Sequence, residues 1–506
     1  MELVPSTLIA LAALAAMLLR GPGRSVGIFL LTLPFGAAAA FNLPALGGAT
    51  IGVADLAALG LFGLVLLTPA GLAGALGAAR PFGPGFWLLL LAAYATVSAL
   101  FFPRIFAGET EVFAISRAAN SDGIAVHPLM PGTGNLTQLF RILLGVCAFA
   151  ALATLARRRP DPARIVGAML AVTAVHAALG LLDLVSAAAG AAALLEPIRT
   201  ANYAILDDHY MIGLKRMIGG FPEASAFGVF SVGLFGFWLA YWVRATKQGA
   251  LPYGRLAPWM LALSAFLVLR STSSAAYVSV TAFTVTWALW SVLTRAEAVP
   301  GKRSISLLAA GAVALWCVGL ALFAAYQTVA PVTAYLDQIL FSKLDTASGV
   351  ERMSWNAQAW QNFRDTAGFG AGLGSVRAST WALATLGSLG AVGTGLYLVF
   401  LLSLTRTRLP EDDAQPGSHA TLAGLKAGCL ALFMAAMMVQ ATPDLGLFFF
   451  ALAGLATGLA RGAALESWRR AATPAGDALP VRGQSTAMGG IGPAIGAERR
   501  RRGGVF

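Results

Sequence analysis

Apolar runs of about 20 residues, the length a helix needs to cross a bilayer core, follow one another along most of this 506-residue chain. They lie near 4–20, 25–43, 49–68, 84–102, 136–156, 165–195, 224–243, 256–270, 273–293, 305–327, 380–404, 420–441 and 444–460. These runs predict roughly 12 to 14 spans and an all-α fold, a polytopic transmembrane helical bundle. With 58% hydrophobic and 11% charged residues, the chain cannot cover a soluble globule with polar surface. The net charge of +12 does not indicate nucleic acid, because the basic residues fall in short clusters between apolar runs, as topology signals do. Cys147, Cys317 and Cys429 each sit in a separate apolar run without a CxxC or a neighbouring His, so neither a disulfide framework nor a metal site is implied. The run from Leu8 to Leu19 lacks a basic leader and precedes Arg20 and Arg24, which reads as a first span rather than a cleavable signal.

The interruptions alternate in basic content. Arg20 and Arg24, Arg80, Arg157 to Arg159, Arg244 with Lys247 and Arg255, Arg295 with Lys302 and Arg303, Arg406 with Arg408, and Arg499 to Arg502 all fall on one side. The positive-inside rule makes that side cytoplasmic, with the N-terminus outside and the C-terminal tail inside. The main outward loops are then 103–135, 196–223 and 328–379, within a membrane domain of residues 1–460. Where two runs touch at Arg270 to Ser274, a re-entrant hairpin is the alternative to two spans. Residues 461–506, rich in Gly, Ala, Pro and Arg, read as a disordered basic tail attracted to anionic membrane lipids. No internal repeat stands out, which argues against many secondary transporters.

Two outward loops carry chemistry. Ser348 and Glu351 have capping-box spacing, which predicts a short amphipathic helix with Arg352, Trp355, Ala359 and Asn362 on one side. After it, Gly368, Gly370, Gly372 and Gly374 remove side chains so that backbone can approach a bulky ligand, and Arg352, Arg364 and Arg377 supply donors for a phosphate or diphosphate. The alternative is a solvated loop lying on the membrane surface. The loop 196–223 brings Arg199, Asp207, Asp208, His209, Lys215, Arg216 and Glu223 to the same side. Glu223 follows Pro222 at a helix start, where the dipole favours a carboxylate; it is either a first-turn acid, or a base for or holder of a sugar hydroxyl. Adjacent Asp207 and Asp208 point in different directions, so a solvated turn fits them better than a cation site. Within the spans, Asp55, Arg141, Asp183 and Arg270 converge on the outer leaflet, and His176 reads as an interhelical hydrogen-bonding residue.

From about Ile212 to Ala460 the chain resembles the O-antigen ligase and polymerase superfamily, which includes exopolysaccharide polymerases. The resemblance rests on RMIGGFPEASAFG opening a span, on RMSWNAQAWQNF followed by GFGAGLGSV in a long outward loop, and on the Gly-rich span LGSLGAVGTGLYLVFLL. It implies a GT-C-like inner-membrane glycosyltransferase with a long periplasmic loop bearing short amphipathic helices. Such an enzyme uses undecaprenyl-diphosphate-linked glycans at the periplasmic face, alongside membrane lipids and a chain-length regulator or flippase as partners. The family's outward arginines match Arg216, Arg270, Arg352 and Arg377. With these, the catalytic candidates are Glu223, Arg216, Arg352 and Arg270, and the substrate-binding candidates are Arg141, Arg199, Lys215, Trp355, Arg364, Gly370, Gly372 and Arg377. Ligases of the family carry a His after the Gly-rich segment, whereas SVRASTWALATL has none, which favours a polymerase. The loop FNLPALGGAT lacks the acidic metal motif of other GT-C enzymes, so the expected mechanism uses neither metal nor cofactor. The rival readings are a ligase acting on lipid or protein and a lipid-linked glycan flippase, whose groups belong near the membrane midplane.

Overall fold

The computed structural model describes residues 1–44, 48–114, 125–203, 205–206, 210–211, 214–248, 251, 253–298, 326–329, 333–334, 337, 347–411 and 415–472. In chain order these form α1 (Thr7–Arg20), α2 (Pro22–Thr32), β1 (Ala39–Leu43), β2 (Ala49–Gly52), α3 (Val53–Leu66), α4 (Gly71–Ala78) and α5 (Pro84–Ile105). Next come β3 (Glu111–Ala114), β4 (Ala125–Pro128), α6 (Thr133–Arg158), α7 (Pro162–Ala188), β5 (Tyr210–Met211), β6 (Leu214–Lys215) and α8 (Ala224–Gln248). The series ends with α9 (Ala257–Arg270), α10 (Ser274–Ala298), α11 (Ala347–Asp365), α12 (Trp381–Thr405), α13 (Ser418–Val439) and α14 (Gly446–Ala472). The strands pair only as three antiparallel ribbons, β1 with β2, β3 with β4 and β5 with β6.

Among the described residues, seven helices are long and apolar enough to cross a membrane: α5, α6, α7, α8, α12, α13 and α14. Among the same residues the pair α3 and α4, bent by 117°, makes an eighth span if taken together. The chain is a multi-pass membrane protein, and its described residues form fewer continuous spans than hydropathy predicts for them. The run 25–43 is not one helix: α2 stops at Thr32, ahead of Pro34, which has no backbone N–H to carry the helix on. The chain then extends as β1, where Asn42 Nδ2 donates to the Thr200 carbonyl at 3.1 Å. The run 49–68 likewise begins as a strand and turns helical only at Val53, where the Asp55 carboxylate accepts from the Gly52 N–H at 2.9 Å. Of the predicted span at 305–327, residues 305–325 lie outside the described residues. The predicted tail boundary at 460 also moves, because α14 continues to Ala472. Its extension is held where Arg461 donates to the Gly77 carbonyl and Gln415 donates to Glu466 at 2.9 Å.

Close packing of α6 on α14 comes from glycines four residues apart. A methyl group on Gly454, Gly458 or Gly462 would lie 2.7, 2.5 or 2.8 Å from the carbonyl oxygen of Phe149, Ala153 or Arg157, each pair one helical step beyond the last. In lipid, where apolar surfaces are not driven together by water, such small-residue stripes let two backbones gain contact directly. Gly233 and Gly236 of α8 do the same against Leu432 and Ala431 of α13. His176 joins α7 to α8 as expected: its Nε2 is 2.8 Å from Ser231 Oγ, and the ring stacks on Phe227 at a centroid distance of 4.2 Å.

Contacts sort the loops into two ends. Arg158 reaches Thr68 and Pro69, and Lys426 reaches the carbonyls of Thr405 and Thr407, so several of the basic interruptions share one end of the bundle. Segments from the predicted outward loops meet at the other end, with Asn135 bonded to Leu373 and Ser375, and Thr110 to Asp365.

Gly458→Leu should wedge α6 from α14 and cost about 2 kcal/mol or more, the usual penalty of forcing bulk into a packed contact. Gly395→Ala, whose new methyl meets nothing within 4 Å, should be neutral. Thermal unfolding of the purified variants in detergent checks both.

Candidate functional site

The helix α11 takes the register its sequence predicts. Asn362 and Ala359 are buried, and Asn362 Nδ2 donates to Thr110 Oγ1 at 2.9 Å and to the Glu111 carbonyl at 2.6 Å. Further toward its start, Asn356 Oδ1 accepts from the Ser379 N–H at 2.8 Å and the Arg352 carbonyl accepts from Ser379 Oγ at 3.2 Å. These bonds lay residues 376–380 along the helix. They bring the Arg377 guanidinium over the Trp355 ring, with Cζ 4.5 Å from the centroid, a cation–π stack.

The glycine loop between them works differently from expectation. Its backbone approaches the protein itself rather than leaving room for a ligand. The Ala371 and Gly372 N–H groups donate to the Gly387 and Ser388 carbonyls at 2.8 and 3.1 Å, and the Ala391 N–H donates to the Gly368 carbonyl at 2.9 Å. This ladder is possible because α12 is broken at Gly390, which has φ 64° and ψ −166°, a conformation that side chains resist. A methyl group on Gly370 would lie 2.6 Å from the Gly390 nitrogen, and one on Gly372 would lie 2.6 Å from the Pro103 ring. Gly370 and Gly372 are therefore positions of close packing, against the break in α12 and against Pro103 of α5.

Two further candidates are likewise occupied. Asp183 near the end of α7 is fully buried, and its carboxylate accepts from Arg199 Nη2 at 2.7 Å, Lys215 Nζ at 3.0 Å, and the Ile218 and Gly219 N–H groups at 2.9 and 3.3 Å. Arg199 and Lys215 thus neutralise a buried acid and pin the loop 196–223 to the bundle. Arg364 is exposed on α11 and donates to Gln361, one helical turn back on the same surface.

Glu223, Arg352, Trp355 and Arg377 do come together, and Glu351 joins them. Burial pushes the Arg377 guanidinium below its ordinary value; the negative charges of Glu351 and Glu223 oppose that shift and Arg352 adds to it. Glu223 immediately precedes α8 and accepts from Ser225 Oγ. Arg377 Nε and Trp355 Nε1 are buried donors with no hydrogen-bond partner among the described residues. An unsatisfied buried donor costs about 1–3 kcal/mol, so the pair marks a place where an external acceptor is favoured. The segment that carries Arg216 meets the end of α9, where the Met217 N–H donates to the Arg270 carbonyl at 3.4 Å.

Arg141 belongs to an adjoining group that sequence reasoning only half found. Beside it stands Asp444, buried in the turn between α13 and α14, with Oδ1 accepting from the Gly446 N–H at 2.9 Å. Burial raises the Asp444 carboxyl, the Arg141 charge and the Gly446 bond act against this, and the Asp55 charge adds to it. The turn adjoins the Arg377 loop, because the Ala378 N–H donates to the Ala441 carbonyl at 3.3 Å and Trp381 Nε1 donates to the Pro443 carbonyl at 3.1 Å. The available signal was an acid, Asp444, directly after Pro443 between two strongly apolar runs. Asp207, Asp208 and His209 lie outside the described residues, among which no three His, Cys, Asp or Glu side chains converge as metal ligands.

Compared with known proteins, the chain matches no family model and no curated protein.

Arg199→Met should cost about 3 kcal/mol of stability, because removing one partner strands a buried carboxylate. Combining it with Asp183→Leu should cost less than the sum of the two single changes. Unfolding of the three variants in detergent measures this; an Arg199→Met protein of unchanged stability would contradict it.

Proposed function

We propose that this protein is a membrane glycosyltransferase that polymerises lipid-diphosphate-linked oligosaccharides at one membrane face. The observation that carries the reading is the Arg377–Trp355 stack, with two buried N–H donors that have no partner among the described residues, beside the carboxylate of Glu223. A guanidinium suits a diphosphate through paired hydrogen bonds, an indole offers a flat face to a sugar ring and an N–H to its oxygens, and a carboxylate suits a hydroxyl. The resemblance of RMIGGFPEASAFG and RMSWNAQAWQNF to the O-antigen ligase and polymerase superfamily supports the same chemistry, with undecaprenyl diphosphate as carrier and the inner membrane as location.

In the proposed reaction, an acceptor sugar hydroxyl attacks the anomeric carbon of the donor glycan. The bond from that carbon to the diphosphate oxygen breaks, and its electron pair leaves with the diphosphate. The hydroxyl proton passes to Glu223, with the hydroxyl of Ser225 steadying the other carboxylate contact. Arg377 and Arg352 meet the charge that develops on the leaving group, which is where preorganised donors lower a barrier most. Gathering of the charges at one end of the bundle supports transfer at a surface over alternating access through the midplane.

Polymerisation of purified undecaprenyl-diphosphate-linked repeat units in nanodiscs tests this. Arg377→Lys keeps the charge but loses the planar fork, and with Glu223→Gln it should slow the rate by about a hundredfold. Trp355→Phe should lose less than Trp355→Ala, and Arg364→Gln should be as active as the parent. Full activity of both Arg377→Lys and Glu223→Gln would refute the assignment.

A further inference from the structure

At the opposite end of the bundle lies a cavity of about 490 Å³ that the proposed transfer does not use. Arg141 and Arg158 stand toward the two ends of α6, about 25 Å apart at ~1.5 Å of rise per residue, which separates this cavity from the Arg377 group. Five arginines line it: Arg20 closing α1, Arg24 in the first turn of α2, Arg158 and Arg159 at the end of α6, and Arg164 opening α7. The lone acid on its wall is Asp161, 3.5 Å from Arg164. Arg158 is engaged by Thr68 and Pro69, but the side chains of Arg20, Arg24 and Arg159 have no ion pair or hydrogen bond among the described residues.

Three more features bear on what fits there. The helices α2 and α7 both start at this cavity, so their positive dipole ends add to the guanidinium charge. The inner wall is apolar, formed by Val26, Leu155, Ile165 and Leu455. At Gly21, Gly23 and Gly27 an added methyl group would meet nothing within 4 Å, so one side is open. Cations gathered around an empty volume repel one another, and the arrangement gains most from a compact anion with several acceptor oxygens.

We propose that this cavity binds a phosphate-bearing anion, supplied either as the headgroup of an anionic phospholipid lodged at the helix ends or as a soluble diphosphate. The apolar wall beside the arginines gives the start of an acyl chain a surface to follow, and basic pockets between membrane helices hold such headgroups in general.

The full chain, purified in neutral detergent, tests this with two probes. Fluorescent phosphatidylglycerol, compared with phosphatidylcholine, tests the lipid source, and inorganic pyrophosphate measured by calorimetry tests the soluble one. Saturable binding of either probe, weakened about tenfold or more in Arg24→Gln/Arg159→Gln, supports the site; loss of two charge-assisted contacts accounts for that size. Phosphatidylglycerol binding without pyrophosphate binding assigns the lipid, and pyrophosphate binding of its own assigns the soluble anion. Gly27→Leu, which fills the open side without removing charge, should weaken binding too, whereas Arg406→Gln/Arg408→Gln, outside the cavity, should not. Equal binding by parent and Arg24→Gln/Arg159→Gln, or no binding of either probe to the parent, would overturn the proposal.

Discussion

The backbone ladder between the glycine loop and the break in α12 governs how the site end of this molecule is built. A helix in lipid keeps its N–H and carbonyl groups to itself, and opening one exposes groups that hydrocarbon cannot satisfy. Here the opening at Gly390 frees the Gly387 and Ser388 carbonyls, and the N–H groups of Ala371 and Gly372 take them at once. The Ser98 hydroxyl closes the arrangement, donating to the Ser388 carbonyl at 3.2 Å and accepting from the Leu373 N–H at 3.1 Å. With the loop fixed to α5 and α12, the next residues have little freedom, and Arg377 is delivered to Trp355.

A second constraint is electrostatic, and it decides which arginines are available. Asp183 takes up Arg199 and Lys215 in a buried group that also receives two backbone N–H bonds, so those cations serve the fold. Arg377, Arg352 and Glu223 are arranged otherwise, with charge in reach of charge, while Arg377 Nε and the neighbouring Trp355 Nε1 have no hydrogen-bond partner among the described residues. A structural pair satisfies its own hydrogen bonds.

Much of this is legible in the order of residues, and the failures have physical causes. Hydropathy locates the seven spanning helices, since a run such as 136–156 has only one fold open to it in lipid. It overreaches at 25–43, where Pro34 and the polar partners of Asn42 turn an apolar stretch into a strand buried against other chain segments. Helical spacing places Trp355, Ala359 and Asn362 on one face of α11. The alternating glycines announce close approach, but nothing in GFGAGLG says whether ligand or protein does the approaching, because that depends on Pro103 and Ser388 far along the chain. Asp183 binding residues 16 and 32 positions away is equally invisible to spacing. The same holds for Arg20, Arg24 and Arg159, which read individually as topology signals and gather only when α1, α2, α6 and α7 meet.

The central proposal is that the Arg377 and Trp355 donors, which have no partner among the described residues, receive the diphosphate-linked glycan. An electron cryomicroscopy structure of the protein in nanodiscs with an undecaprenyl-diphosphate oligosaccharide tests it most directly. The account predicts diphosphate or glycan oxygens within hydrogen-bond distance of Arg377 Nε and Trp355 Nε1, with Glu223 facing a sugar hydroxyl and Asp183 still holding Arg199 and Lys215. A diphosphate bound instead by Arg199 and Lys215, with the Arg377–Trp355 stack empty and unchanged, would contradict it.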